Sequence, residues 1–210
     1  MVAVAVMGEA LAEAAGQVAA DLAVAASVEE AVVVLVAAAL LEDGKMNVKR
    51  ILKHLFYPPW LVKRYFPPAT LNKIEAAIAE SELTHCAEIR FAVESALELS
   101  DLLADKSSFE RGVDVFSQLR VWDTEQNNGV LIYLLLADRK IEIIADRGVY
   151  KNTRPEQWQQ ISQIMEKEFR NHRYEQGILT GIQSISRILA KLYPYQQTDT
   201  NELSNKPVIL

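Results

Sequence analysis

Residues 121–145 read VWDTEQNNGVLIYLLLADRKIEIIA, and this run sets the centre of the predicted architecture. Its middle part, Val130 to Leu136, is continuously apolar, which is typical of a strand that is buried on both faces. A two-residue turn at Asp138 and Arg139 then leads into another strand, Ile141 to Ala145. The run therefore predicts a hairpin whose first strand lies inside a sheet.

The segments on both sides of this hairpin alternate between helical and extended patterns. The predicted elements are, in chain order, a helix that ends near Glu82, a strand over Glu88 to Glu94, a helix that begins at Ser107 or Ser108, the two hairpin strands, a helix that begins at Thr153, and a helix over about 173–193. This order predicts an α/β fold, a three-layer α/β/α sandwich around a small mixed β-sheet. No Gly-rich stretch joins a strand to a helix, which argues against a doubly wound nucleotide-binding fold.

Composition divides the chain into four segments. Residues 1–45 are rich in Ala and Val and contain no aromatic residue and no Pro, so we expect a helical N-terminal extension. This extension is either a helical hairpin that packs on the body or on a copy of itself, or a non-native or non-conserved addition before a natural start at Met46. We expect a basic aromatic segment over 46–68, the α/β domain over 69–194 and a disordered tail over 195–210.

The charge distribution limits the classes of partner. The net charge is −6, and the whole acidic excess lies in residues 1–45, because residues 46–210 hold 21 acidic and 21 basic residues. A neutral body argues against binding of duplex nucleic acid, and we expect no nucleic-acid partner. The single cysteine, Cys86, excludes an internal disulfide framework. The longest apolar run, over 31–41, is shorter than the roughly 20 residues of a bilayer crossing, so we expect a cytoplasmic protein, either free or bound peripherally to a membrane.

Residues 46–66 combine cations with aromatic side chains and contain no acidic residue. This combination is found in interfacial membrane anchors, although Pro58 and Pro59 shorten any apolar helix face. The alternatives are that the aromatic residues cover the core of the body, that they contact anionic lipid, or that they stack on single-stranded nucleic acid. The cations are Lys49, Arg50, Lys53, Lys63 and Arg64, and the aromatic residues are Phe56, Tyr57, Trp60, Tyr65 and Phe66.

A polar loop immediately before the apolar strand supplies the main candidate for a binding site. Carboxylate and amide oxygens are the ligands that Ca²⁺ and Mg²⁺ prefer. Pairing about the two-residue turn puts Asp146 opposite Leu131 and Arg147 opposite Val130. Both residues then lie beside the loop, at an end of the sheet where open α/β folds hold ligands. The candidate residues in the loop are Asp123, Glu125, Asn127 and Asn128.

The same loop also has a purely structural explanation. Asn-Asn-Gly forms Asx turns that lead a chain into a strand without any metal. An EF-hand is excluded because Leu134 stands where that motif requires a bidentate Glu. The three histidines, His54, His85 and His172, lie in different predicted elements, so we expect surface or helix-end positions and no histidine metal cluster.

A resemblance to the TPM domain family is carried by residues 115–148, VFSQLRVWDTEQNNGVLIYLLLADRKIEIIADRG. The shared pattern is a helix that ends in an aromatic residue, a polar loop that closes in Asn-Asn-Gly-Val-Leu, an apolar strand, a short turn with Arg, and a strand that ends near Gly. The resemblance covers about residues 69–193 and is greatest to short bacterial TPM proteins, which are typically encoded beside LemA-type membrane proteins. It implies a small sheet between helices.

The resemblance also implies a chemistry. Some members of that family bind calcium through the loop before Asn-Asn-Gly and the end of the following strand, and weak acid phosphatase activity has been claimed for others. Where the family often has Gly-x-Gly-x-Glu after the third strand, this chain has Asp146-Arg-Gly-Val-Tyr150. The calcium site implied by the resemblance consists of Asp123, Glu125, Asn127, Asn128 and Asp146.

These observations favour a non-enzymatic accessory or interaction module that binds Ca²⁺ at the loop. The first alternative is a weak metal-dependent acid phosphatase, in which Arg147 would bind the phosphate. The second alternative is a peripheral adaptor that contacts an anionic membrane surface through residues 46–66. In the leading interpretation the partner is an unidentified protein, such as a membrane protein.

Overall fold

The computed structural model describes residues 47–197 and 200–210. The predicted helical extension over 1–45 lies outside the described residues. The chain forms two compact units, residues 1–52 and residues 53–210. The second unit holds the sheet and every candidate site residue of the loop and hairpin.

The elements follow the predicted order, with additional short helices. The helices are α1 (Val48–Leu55), α2 (Trp60–Tyr65), α3 (Pro68–Glu82), α4 (Leu99–Leu103), α5 (Ser108–Gln118), α6 (Arg147–Lys151), α7 (Pro155–Arg170) and α8 (Tyr174–Leu192). The strands are β1 (Ile89–Glu94), β2 (Val130–Leu135), β3 (Lys140–Ala145) and β4 (Val208–Ile209). The four strands form one mixed sheet in the order β3-β2-β1-β4, with β1 parallel to both β2 and β4 and with β3 antiparallel to β2. The prediction of an α/β fold with a small mixed sheet is confirmed.

The sheet lies between helices on both of its faces. On one face, side chains such as Phe91 and Ile132 belong to a core shared with α3, α7 and α8. On the other face, α5 passes close to Tyr133, because a Cβ atom on Gly112 would lie 3.2 Å from the Tyr133 ring. This arrangement confirms the three-layer sandwich and explains why β2 is buried along its whole length.

The helix that covers this second face begins where its sequence predicts. Ser107 precedes α5, and its side chain accepts a hydrogen bond from the Glu110 amide while the Glu110 carboxylate accepts one from the Ser107 amide. This reciprocal capping satisfies two amides that the helix leaves unpaired. At α7 the prediction is one residue early, because the residue before the helix is Arg154 and not Thr153.

A buried polar network joins the same face of the sheet to α5. Glu94 accepts two hydrogen bonds of 2.9 Å from the Arg111 guanidinium and one of 2.6 Å from the Tyr133 hydroxyl. Burial and the adjacent Glu94 carboxylate raise the pKa of Tyr133 well above its usual range. The hydrogen bonds to Glu94 likewise raise the pKa of Arg111. The network therefore keeps both donors protonated and fixes α5 to β1 and β2.

The predicted register of the hairpin is wrong by two residues. Val130 pairs with Ala145 in the structure, so Asp146 and Arg147 follow β3 rather than facing Leu131 and Val130. The turn occupies residues 136–139, because the amides of residues 136 and 137 donate to carbonyls at the end of β1 instead of pairing with β3. Side chains alternate with a period of two, so this shift leaves every side chain on its predicted face.

The tail is ordered over residues 200–210, so the prediction of a disordered tail is wrong there. Val208 and Ile209 pair with β1, and the Leu210 amide donates to the Val93 carbonyl. Upstream, the Glu88 carboxylate accepts hydrogen bonds from the amides of residues 202 and 203 at 3.0 and 3.3 Å. The tail folds back because it covers a strand edge that would otherwise leave backbone groups unpaired.

Two histidines are buried, and His85 departs from the expectation of a surface or helix-end position. His85 is fully buried. His54 lies in the last turn of α1, as predicted, but it is 3% exposed and its Nδ1 accepts a hydrogen bond from the Leu97 amide. Nε2 of His54 therefore carries the proton and donates it to Asp138 at 2.8 Å. Over 47–197 and 200–210, no helix combines the length and the apolar composition that a bilayer crossing requires.

Candidate functional site

The loop between α5 and β2 is built from two tight turns. Arg120 and Asn127 both have positive φ values, 53° and 52°, which Asn adopts more readily than most residues. The Asn127 amide donates to the Thr124 carbonyl at 3.2 Å, and the Asn128 amide donates to the Thr124 hydroxyl at 3.0 Å. The polar residues of this loop therefore direct its own backbone, as the structural explanation of the sequence requires.

Two glycines allow the loop to approach its neighbours closely. A Cβ atom on Gly129 would overlap the Val121 carbonyl. A Cβ atom on Gly148 would lie 2.5 Å from the Asn127 carbonyl oxygen, which is closer than real Cβ atoms approach. Gly129 therefore allows the two ends of the loop to pack together, and Gly148 allows the loop to lie against the start of α6.

The structure joins the loop to the end of β3 through backbone hydrogen bonds. The Asp146 amide donates to the Gly129 carbonyl at 2.9 Å, and the Gly148 amide donates to the Asn127 carbonyl at 3.0 Å. Arg147 adds a side-chain contact, because its Nε donates to Asn127 Oδ1 at 2.8 Å. We call this junction of residues 127–129 with residues 146–148 the loop mouth.

Two side chains at the loop mouth carry a buried oxygen atom without a hydrogen-bond partner. Asn128 is 1% exposed, and its Nδ2 donates to the Cys86 carbonyl at 2.5 Å, but its Oδ1 accepts nothing. Asp146 Oδ1 accepts from the Arg147 amide at 2.6 Å, whereas Asp146 Oδ2 is buried and accepts nothing. Such an acceptor costs about 1–3 kcal/mol when its hydrogen bond is missing. Both atoms can therefore accept a cation or a water molecule at a gain in free energy.

The remaining predicted ligands do not turn toward a common point. Asp123 is exposed and forms an ion pair with Arg120. Glu125 is exposed too, and Asn127 Oδ1 is already occupied by Arg147. Within residues 47–197 and 200–210, no group of three or more His, Cys, Asp or Glu side chains is close enough to hold a metal ion.

The structure brings an additional acid to the loop. Both carboxylate oxygens of Glu202 accept hydrogen bonds from the Glu125 amide, at 3.0 and 3.2 Å. Sequence reasoning did not find Glu202 because it reaches the loop only when the tail folds back along β1. No local motif signals that return, since the tail is mostly polar.

Tyr193 is a second residue of the loop mouth that the sequence did not indicate. A Cβ atom on Gly148 would lie 2.9 Å from its hydroxyl oxygen. Burial raises the pKa of Tyr193, and the negative charge of Asp146 raises it further, while a hydrogen bond from Asn152 opposes the change. The pKa of Tyr193 therefore depends on the charge at the loop mouth.

The chain is similar to a known protein family and to solved structures. A family model described as TPM domain matches residues 63–188. The chain is similar to the BA42 protein from the psychrophilic bacterium Bizionia argentinensis, solved by NMR, with 28% sequence identity and a TM-score of 0.61 over 68% of this chain and 93% of that chain. The N-terminal domain of a protein from P. gingivalis gives 18% identity and a TM-score of 0.47 over 61% and 80% of the two chains. Curated proteins give no match.

Proposed function

Because this chain belongs to the TPM domain family, we propose that it is a non-enzymatic accessory module that binds Ca²⁺ at the loop mouth. The bound ion would link the loop before β2 to the end of β3. A partner protein would then recognise the ordered loop. The proposal concerns binding alone and requires no reacting group at the site.

The observation that carries the proposal is the pair of buried oxygens without partners. Asn128 Oδ1 and Asp146 Oδ2 are an amide oxygen and a carboxylate oxygen, which are both preferred ligands of hard cations. The chemistry of both oxygens suits the ion, and Asn128 and Asp146 would be its protein ligands. The Ca²⁺ ion would interact favourably with these two oxygens, which receive no hydrogen bond.

The charge around the loop mouth supports the same proposal. Asp123, Glu125 and Glu202 add exposed carboxylates to the Asp146 charge, while the nearby cations are Arg120 and Arg147. This acidic excess attracts cations from solution. Since most of these groups are exposed, salt screens the attraction, and we expect the affinity for Ca²⁺ to fall as ionic strength rises.

A metal-dependent phosphatase is the alternative function of the same residues. The ion would then activate water, and Arg147 would bind the phosphoryl group. The binding role is favoured because Arg147 Nε already donates a hydrogen bond to Asn127 Oδ1. This N–H group is therefore not available to donate to a phosphate. Hydrolysis of a phosphomonoester to inorganic phosphate in the presence of Ca²⁺ or Mg²⁺, with loss of that activity in Asp123→Ala, would support the phosphatase instead.

Calorimetric titration of the chelator-treated full chain with Ca²⁺ tests the proposal. We expect saturable binding that Asp146→Asn weakens at least tenfold, because the substitution removes a ligand charge at nearly constant shape. The matched control is Glu98→Gln, which removes one exposed acidic charge beyond the opposite end of β1. Equal affinity in the wild type and in Asp146→Asn would contradict the proposal.

A further inference from the structure

A second polar surface lies beyond the opposite end of β2 from the loop mouth. His54 Nε2 donates to Asp138 in the β2–β3 turn, so the end of α1 meets the tip of the hairpin. Asn128 precedes β2 and Asp138 follows it. Six strand residues span about 20 Å, so this surface is separate from the proposed cation site.

Large apolar side chains are exposed at this end of the molecule. Phe56 is 70% exposed and Trp60 is 56% exposed, and they stand on either side of the Pro58-Pro59 corner. The other aromatic residues of the segment point inward, since Tyr65 stacks on Tyr174 at 4.3 Å between ring centroids and Phe66 lies 5.6 Å from Phe91. The core therefore accounts for Tyr65 and Phe66 but leaves Phe56 and Trp60 in solvent.

Cations surround these exposed side chains. Lys63 and Arg64 lie three and four residues after Trp60 on α2, which directs them to the same side of that helix. The hairpin turn adds two further cations, Arg139 and Lys140, and the positive charge of Arg139 opposes the rise in the pKa of Tyr57 and of Tyr174. All four cations are exposed, and none forms an ion pair with another residue in the part of the chain that the structure describes.

The acidic groups near this surface already have cationic partners. Asp138 lies 4.0 Å from the Lys53 ammonium, Glu168 binds Arg173 at 2.7 Å, and Glu175 binds Lys73 at 2.7 Å. The four unpaired cations therefore give the surface a net positive charge in a chain whose total charge is −6.

A polar cavity of about 430 Å³ opens beside Arg64. It is lined by Arg64, His172 and Arg173 together with Tyr65 and Tyr174, and α8 begins at this cavity. The amides in the first turn of a helix favour anions, and the cationic side chains favour them further. Glu175 also lines the cavity, and its carboxylate already forms an ion pair with Lys73 at 2.7 Å, so the side chain of Arg64 is left to bind a phosphate there.

We infer that this surface docks the protein on an anionic phospholipid membrane. We call it the basic aromatic face: Phe56, Trp60, Lys63, Arg64, Arg139 and Lys140, with the adjoining cavity. Phe56 and Trp60 enter the interface, where aromatic side chains are stable, and the cations lie against the lipid phosphates. Phosphate groups of the lipid surface occupy the cavity. Charge complementarity selects this occupant, because an anionic bilayer presents both negative charge and an apolar layer beneath it.

Vesicle sedimentation with the full chain tests this inference. We expect the protein to sediment with phosphatidylcholine vesicles that contain phosphatidylserine, and to remain in solution with phosphatidylcholine alone. Each cation near an anionic surface strengthens binding about fivefold, so Lys63→Gln with Arg64→Gln should weaken binding about 25-fold. The matched control is Lys151→Gln with Arg154→Gln, which removes the same charge from exposed positions after β3.

The apolar part of the face has its own matched pair of variants. Trp60→Ala should weaken binding to the anionic vesicles, whereas Trp122→Ala, on the loop before β2 and 49% exposed, should leave it unchanged. Thermal unfolding checks that the variants fold. The inference is overturned if the wild type stays in solution with anionic vesicles at low salt, or if the Lys151 and Arg154 control weakens binding as much as the Lys63 and Arg64 pair.

Discussion

The Asp146 amide donates a 2.9 Å hydrogen bond to the Gly129 carbonyl, and this bond joins the end of β3 to the loop that leads into β2. Because the backbone makes the junction, the positions of the neighbouring Asn128 and Asp146 side chains follow from the sheet itself. The two buried oxygens at the loop mouth are thus held in place before any ligand arrives. Such preorganisation lowers the entropic cost of ordering the ligands when an ion binds.

The first prediction concerns the pKa of Tyr193. Asp146→Asn removes the negative charge that helps to raise this pKa, so the pKa of Tyr193 should fall. Ca²⁺ at the loop mouth should lower it as well, because a nearby cation favours the tyrosinate. NMR of ring-labelled tyrosine, followed as a function of pH, measures both effects. Glu98→Gln should leave the Tyr193 titration unchanged, and an unaltered pKa in Asp146→Asn would contradict an electrostatic effect of Asp146 on Tyr193.

The second prediction concerns the close approach at Gly148. Gly148→Ala should lower the free energy of unfolding by about 1–3 kcal/mol, because its Cβ would collide with carbonyl oxygens of the loop that cannot withdraw easily. Urea denaturation measures the loss. Lys151→Ala, on the exposed side of the same short helix, should change stability by less than about 0.5 kcal/mol. Equal stability of the two variants would show that the loop adjusts freely.

The third prediction concerns the return of the tail. Glu88→Ala should accelerate hydrogen exchange at the amides of residues 202 and 203, which lose their carboxylate acceptor. The free energy of unfolding should fall by about 1–3 kcal/mol. Glu80→Ala, which changes an exposed carboxylate on α3, serves as the control. Exchange that stays slow in Glu88→Ala would mean that β4 alone fixes the tail.

The fourth prediction concerns the network between β1 and α5. Glu94→Gln should cost about 3–5 kcal/mol, because it leaves the Arg111 guanidinium without its carboxylate partner in a largely buried site. Combining it with Arg111→Met should recover part of that loss, since both partners are then gone. A double-mutant cycle in urea measures the coupling. Strictly additive losses would contradict direct coupling between Glu94 and Arg111.

Most of the fold could be predicted from local sequence patterns. The continuous apolar run of β2 and the capping pattern at Ser107 both depend on neighbouring residues, and both match the structure. The hairpin register could not be predicted, because residues 136 and 137 bond to the end of β1, which is distant in sequence. The tail was missed for the same reason, since its order depends on the open edge of β1.

The candidate site was predictable only in part. The sequence identified the loop and the segment that meets it, because Asn-Asn-Gly and the strand end have local signatures. The sequence could not show which of these polar residues are buried. Asn128 and Asp146 carry the buried oxygens without partners, whereas Asp123 and Glu125 are exposed. Burial of a side-chain oxygen depends on tertiary packing, and Glu202 and Tyr193 reach the site only through the folded chain.

The most direct test of the cation site is a calcium titration of the chelator-treated full chain, followed through amide NMR shifts, with magnesium for comparison. We predict saturable shifts confined to residues 121–130 and 145–150 and to the neighbouring residues Tyr193 and Glu202, and the loss of these shifts in Asp146→Asn. Absence of saturable shifts at millimolar calcium, or shifts that persist in Asp146→Asn, would contradict the proposal that the loop mouth binds a cation.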